Sequence, residues 1–346
     1  MKNKLNLILA LVITSFLSAC GGGGSSSSTS STSATGISST YTSSGSIGEV
    51  LDYTINTTVN PATYSYTIIK SAYGLTGVTG SGTLIPNSDG SYTPSDSPNS
   101  KIYALKNGLI VGGVKLNIGG TDTVVPLLGI DTPITSSGAM AGTYNYISTN
   151  CTSNANGYPT YPNCSSSYGT LKILANGTFV ECISVNITAA PSCSNSTGAI
   201  TNLGNGLFEY IRNGSSNKNY LLGLTASNGQ NVLIVDLNDP SGYGYGQAIA
   251  STQPTTNYVS GDADGVWFAN SNTNSSGRVT ISGSSFSSIY TGGSNNGSFI
   301  WNNPWIGMVA TSGSTDTGYA ILAGTGVYVY RSNNPSDPYY EIGMLK

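Results

Sequence analysis

Glu181, Glu209, Asp236, Asp262 and Asp264 are the residues of this sequence best placed for acid–base chemistry. Two carboxylates facing one another suffice for glycoside hydrolysis, although no spacing here selects a pair. Glu181 and Glu209 alternate with apolar neighbours as exposed strand residues do. The chain contains no histidine, which removes Ser-His and Cys-His nucleophilic machinery and histidine-ligated zinc. No GxSxG elbow and no phosphate-binding loop occurs. Ser215-Ser216-Asn217-Lys218 spells SxxK, but it lies between two strand-like runs and reads as a polar hairpin loop. Gly261-Asp262-Ala263-Asp264-Gly265 begins like an oxygen-ligated calcium loop without the later acidic ligands, so it reads as an Asx turn. No metal and no cofactor is implied.

Four cysteines, Cys151, Cys164, Cys182 and Cys193, fall in the middle of the chain. In an exported protein an even set reads as two disulfides. Pairing Cys151 with Cys164 and Cys182 with Cys193 is favoured, since each pair brackets a turn-rich insertion of Asn, Ser and Pro. A metal site at these cysteines is the alternative, and neither CxxC spacing nor a histidine supports it. Trp267, Trp301 and Trp305 gather near the C-terminus with Tyr319, Tyr328, Tyr330, Tyr339 and Tyr340. Such rings stack on sugars or anchor interfaces, and they equally fill a core. The three tryptophans are the candidate ligand-binding residues. In Val327-Tyr328-Val329-Tyr330, alternation places valines and tyrosines on opposite faces of one strand, leaving one face for a ligand.

Elements that would position these residues are strands. Tyr, Thr, Val and Ile are plentiful, Gly and Asn punctuate them, and charged residues make up only 8% against about 25% in ordinary domains. Helical periodicity of apolar residues is absent after Cys20. Echoes recur along the chain: Thr63-Tyr64-Ser65-Tyr66 parallels Thr143-Tyr144-Asn145-Tyr146. Gly82-Thr83-Leu84-Ile85 turns at Asp89-Gly90 into Tyr92, Gly169–Ile173 turns at Asn176-Gly177 into Phe179, and Gly277–Ile281 turns at Gly283 into Phe286. Asp-Gly and Asn-Gly suit the two-residue hairpin turn, in which both central residues have positive φ. Leu109–Gly112, Tyr220–Gly223 and Trp305–Met308 then occupy comparable places, 27 residues after Gly82 and 28 after Gly277 in the outer copies. The expected fold is all-β: antiparallel meanders in about three related repeats, 47–135, 136–252 and 253–346, forming barrel-like or sandwich units.

The N-terminus supplies an address. Met1-Lys2-Asn3-Lys4 is a positive start, and Leu5–Phe16 is an apolar run well short of the roughly 20 residues a spanning helix needs. It is a signal peptide, residues 1–19. Leu17-Ser18-Ala19-Cys20 resembles the lipobox of bacterial lipoproteins. That resemblance implies cleavage before Cys20, diacylglycerol and further acylation on Cys20, and anchoring in a membrane, with Gly21 favouring the outer membrane. It also removes the odd cysteine of five. Residues 20–46, nearly all Gly, Ser, Thr and Ala and free of charge, form a flexible tether.

Loss of residues 1–19 takes away Lys2 and Lys4, leaving 10 basic residues against 15 acidic ones, a net charge of −5. Without a basic cluster, nucleic acid is excluded as a partner. The sequence therefore points to a lipid-anchored protein of the bacterial cell envelope, periplasmic or surface-facing. Its expected role is non-enzymatic binding or adhesion toward a protein or glycan through a neutral, tyrosine-rich β surface. A structural envelope role and a carboxylate-dependent glycan hydrolase are the alternatives.

Overall fold

A computed structural model describes residues 36–346 except 106–107, 119, 154–158, 240–243, 274, 291, 315 and 323–325. The signal peptide, the lipobox with Cys20 and most of the tether lie outside the described residues. Every described strand pairs antiparallel with its neighbours in one of three closed eight-stranded barrels. Barrel 1 contains β1 (Ser38–Gly45), β2 (Glu49–Asn56), β3 (Ala62–Ser71), β4 (Thr79–Pro86), β5 (Tyr92–Pro94), β6 (Ile102–Ala104), β7 (Leu109–Ile118) and β8 (Thr121–Ile130). Barrel 2 contains β9 (Gly142–Ser153), β10 (Pro159–Ile173), β11 (Thr178–Ile183), β12 (Ser196–Gly204), β13 (Leu207–Arg212), β14 (Asn219–Thr225), β15 (Asn231–Asp239) and β16 (Gly244–Thr252). Barrel 3 contains β17 (Gly265–Ser271), β18 (Ser276–Ser282), β19 (Ser285–Tyr290), β20 (Gly293–Trp301), β21 (Val309–Gly313), β22 (Thr317–Leu322), β23 (Val327–Ser332) and β24 (Tyr340–Leu345). In each, the first strand pairs with the last, so no sheet edge is left unpaired.

Barrel 1 begins earlier than composition suggests. A tether running to residue 46 would include Ser38–Gly45, yet this polar segment is β1, paired with β2 on one side and β8 on the other. Closure supplies partners to its backbone on both edges, and Tyr41 anchors it in the barrel interior. The sequence echoes also change register. Gly169–Ile173 and Gly277–Ile281 belong to the second strands of their barrels, whereas Gly82–Ile85 belongs to the fourth strand of barrel 1. The glycine turns match a common local solution: at Asn87–Gly90 and Leu174–Gly177 a β-turn closes through the glycine N–H, and only the glycine has positive φ. Asn205-Gly206, between β12 and β13, has positive φ at both residues, as the two-residue hairpin turn requires.

A recurrent device builds the barrel interiors. Tyr64 faces Gly82, Tyr66 faces Gly80, Tyr146 faces Gly169, Phe179 faces Gly198, Tyr290 faces Gly277, Phe286 faces Gly297 and Tyr328 faces Gly343 across neighbouring strands. In every pair the ring lies where the glycine's Cβ would be, within 2.9 Å of that point. Aromatic side chains thus cover the backbone of opposing glycines, and large rings fit inside a narrow barrel.

The three barrels also share a core. Each has its own interior cluster, but a further cluster draws outward-facing residues from all three, including Val111 and Leu128, Leu222 and Ile234, and Phe268, Val329 and Met344. β7 and β8 meet β17, β1 meets β15 and β16, and β9 meets β22 and β23. Strands on these contacts are buried on both faces and read as unbroken apolar runs, such as Leu109-Ile110-Val111 and Val232–Val235. Solvent-facing β18 instead alternates, with Val279 and Ile281 buried and Arg278 and Thr280 not.

Candidate functional site

Both disulfides expected from the sequence are present, Cys151–Cys164 and Cys182–Cys193. The first joins residues directly opposite one another on β9 and β10; the second ties β11 to the connection preceding β12. They staple barrel 2 and define no cleft.

The acidic candidates are dispersed. Glu181 points into barrel 2, not to solvent, and its carboxylate pairs with Arg212 at 3.0 Å. A charge facing the interior there is tolerated because Arg212 on β13 reaches it. Glu209 pairs with Lys218 of the SxxK segment at 2.8 Å, so that lysine belongs to a hairpin connection. Asp236, 1% exposed, lies between barrels 1 and 2 and accepts a hydrogen bond from Ser44 Oγ at 3.0 Å. Asp262 and Asp264 accept from the N–H groups of Val259 and Gly283, as turn residues do. Among the described residues, no group of three or more Cys, Asp and Glu is arranged to hold a metal ion.

Nor do the three tryptophans share a surface. Trp267 is buried in barrel 3 and donates from Nε1 to Ala263 O at 3.1 Å. Trp301 is half-buried in the same barrel, bonded to Ser284 Oγ at 2.9 Å. Trp305 stands between barrels 2 and 3, donating to Asn145 Oδ1 at 2.8 Å beside Tyr168. Many tyrosines are interior as well, Tyr41, Tyr53, Tyr144 and Tyr328 among them. Val327–Tyr330 divides as alternation requires: the valines enter the shared core, while Tyr328 and Tyr330 face into barrel 3.

Barrel 3 holds an interior chamber of about 360 Å³, against about 30 Å³ for the space inside barrel 2; a more open hollow of about 400 Å³ lies over β2, β3 and β4 of barrel 1, lined mostly by polar residues such as Thr54, Asn56, Thr63 and Ser81. Small inward residues explain the room in barrel 3. Ser288, Thr311 and Ala320 stand on its wall, whereas the interior of barrel 2 is filled by residues such as Tyr210, Leu233 and Leu171. Val279, Ile281, Phe286, Phe299 and Leu322 make the lower wall apolar, and Trp267 packs edge-on against Tyr328 toward the far end. The mouth is formed by the connections β17–β18, β19–β20, β21–β22 and β23–β24, through Thr273, Gly292, Asp316 and Asp337.

Polar groups converge on one side of this chamber. Glu341, 3% exposed, faces inward from β24 and accepts hydrogen bonds from the hydroxyls of Tyr328 and Tyr339. Burial pushes its carboxyl up to about 8, against the help of the neighbouring Tyr290 hydroxyl. Tyr330 donates to Asp316 Oδ2 at 2.8 Å, and its own hydroxyl is held well above the usual range by burial and then by that carboxylate. Thr311, 7% exposed, turns its hydroxyl into the chamber beside that of Tyr330. Sequence reasoning did not find Glu341: its neighbours Tyr340 and Ile342 are apolar, as they are for Glu181 and for any surface strand. The distinguishing signal was the pairing of Tyr328 with Gly343 across β23 and β24, which fixes Glu341 on the inner face.

No protein-family model matches this chain, and no curated protein matches it. The chain aligns with the crystal structure of a protein of unknown function of the DUF3598 family from Nostoc punctiforme. The alignment covers 89% of this chain and 94% of that one at 9% identity, with a TM-score of 0.18. A superposition this loose carries no argument.

Proposed function

We propose that this chain is a lipid-anchored, non-enzymatic binding protein of the bacterial outer membrane, and that its ligand seat is the chamber of barrel 3. The observation that carries the reading is the contrast between barrels 2 and 3: the interior of barrel 2 is nearly filled, whereas that of barrel 3 is an open, mainly apolar cup with a few convergent polar groups. Sites for small molecules have that composition and size. The lipobox-like Leu17–Cys20 supports the anchor, since two or more acyl chains give stable membrane attachment. The ligand is accordingly a small molecule taken inside a barrel, where the sequence alone suggested a flat tyrosine surface for protein or glycan.

Two experiments test the two halves. In cells fed an alkyne analogue of palmitate, the protein should carry the label and fractionate with membranes, and Cys20→Ala should lose both. Labelling that survives the substitution would contradict the anchor. Purified protein titrated with Nile red, a neutral polarity-sensitive dye, should show one saturable site per chain. No saturable signal would contradict the chamber.

A further inference from the structure

We infer that the chamber of barrel 3 selects organic ammonium cations: an apolar body carrying a tertiary or quaternary nitrogen. This rests on the chamber being a ligand site and adds the charge of what it takes. Three carboxyl groups line the chamber, Asp316 and Asp337 toward the mouth and Glu341 within, and none of the described lining residues is basic. Around them stand the rings of Tyr290, Tyr328, Tyr330 and Tyr339, with Phe286 and Phe299 below. Tyr330 and Tyr339 have centroids 6.0 Å apart and Phe286 and Phe299 5.2 Å, so rings cluster at two depths. Aromatic faces attract a cation electrostatically, more strongly once water is excluded, and cages of such rings recognise quaternary ammonium groups. An anion would meet three acids and no basic residue among the described lining.

Burial of Glu341 adds a pH dependence to this selection. The groups facing it are the hydroxyls of Tyr290 on β19, Tyr328 on β23 and Tyr339 before β24, with Asp316 and Asp337 farther toward the mouth. None of the described residues lining the chamber is positive to compensate this carboxylate, so on its own it keeps its proton to about pH 8. A bound cation supplies the missing charge, and binding then displaces that proton to solvent. Affinity should rise with pH across the range below about 8 and level off above it.

The test uses the purified mature protein and three probes of one skeleton: benzyltrimethylammonium, its uncharged carbon isostere neopentylbenzene, and phenylmethanesulfonate. The cation is titrated by calorimetry, and the other two by displacement of Nile red. At pH 8.5 the cation should bind at least tenfold tighter than the neutral isostere, and the anion should not compete. Glu341→Gln should weaken the cation about tenfold, leave the neutral probe unchanged and abolish the rise in affinity from pH 6 to 8.5. Should that variant not fold, Asp337→Asn at the exposed mouth should weaken the cation alone by a smaller factor. Neutral and cationic probes binding equally, or the anion competing, overturns the cation inference and leaves the chamber standing. Failure of all three probes together with Nile red overturns the chamber itself.

Discussion

A buried carboxyl group without a basic partner must hold its proton far above the usual carboxylate range, and three such groups occur among the described residues. Glu341 lies in barrel 3. Glu49, 0% exposed, accepts from Ser71 Oγ at 2.9 Å, and burial pushes it up to about 8. Asp236 is raised well above its ordinary value by burial and then by the charge of Glu49. A carboxyl raised on folding contributes stability that is complete below its unfolded value near 4.5 and is lost as pH rises to its folded value. The expected outcome is a melting temperature that falls between pH 5 and pH 8, each such group costing roughly 1.4 kcal/mol per pH unit inside its window. Thermal melts by circular dichroism at pH 5, 6.5 and 8 check it, and the slope should be shallower in Glu49→Gln and in Glu341→Gln. A flat profile in the unaltered protein would show that these groups ionise freely. Asp236 stands among the candidate carboxylates of the sequence, but the burial of none of the three was legible there. Glu49 follows Gly48 at the end of a polar stretch, and its burial arises from barrel 2 packing beside it through Ser44, Asp236 and Gln247. Contacts between residues about 200 positions apart leave no local pattern.

On the scale of strands, aromatic rings lie over opposing glycines inside the barrels, and the cost of disturbing a pair depends on what the new atom meets. A Cβ at Gly343 would approach the Tyr328 ring to 2.0 Å and the Phe268 carbonyl to 2.6 Å, whereas the nearest atoms to one at Gly82 belong to the Tyr64 side chain, at 2.8 to 3.1 Å. Gly343→Ala should therefore destabilise by about 1–3 kcal/mol and Gly82→Ala by distinctly less, as urea unfolding would show. Equal costs would mean that the rings move aside freely. The disulfides act at the same scale: each closes a loop of 11 or 13 residues, and replacing either pair by alanine should cost about 3 kcal/mol. Their pairing was readable because each pair brackets one insertion. Strand content was readable too, since β-branched and tyrosine residues alternate between glycine turns. Strand order was not: a Gly-Thr-Leu segment followed by a glycine turn suits any hairpin of such a barrel, so Gly82 and Gly169 look equivalent while occupying different strands.

Three barrels sharing one core form a larger cooperative unit than three beads on a string. Leu222 and Met344 face that core from barrels 2 and 3, so Leu222→Ala or Met344→Ala should each cost about 2–5 kcal/mol and shift one common unfolding transition in calorimetry. Separate transitions, only one of them moved, would contradict the shared core. The clue lay in the unbroken apolar runs of β7 and β15, which signal burial on both faces, against the alternation of β18. A sequence gives no hint of which runs meet, and hence of how the barrels are arranged. The chamber is a property of the same scale, because it exists where inward residues are small on several strands at once, and Ala320 is one of them. Cavity filling at that position tests the proposed binding role most directly. Nile red titrations of the unaltered protein and of Ala320→Phe should give one site in the first and none in the second, with both unfolding cooperatively. Undiminished one-site binding by a folded Ala320→Phe protein would place the dye elsewhere and contradict the chamber of barrel 3 as the ligand seat.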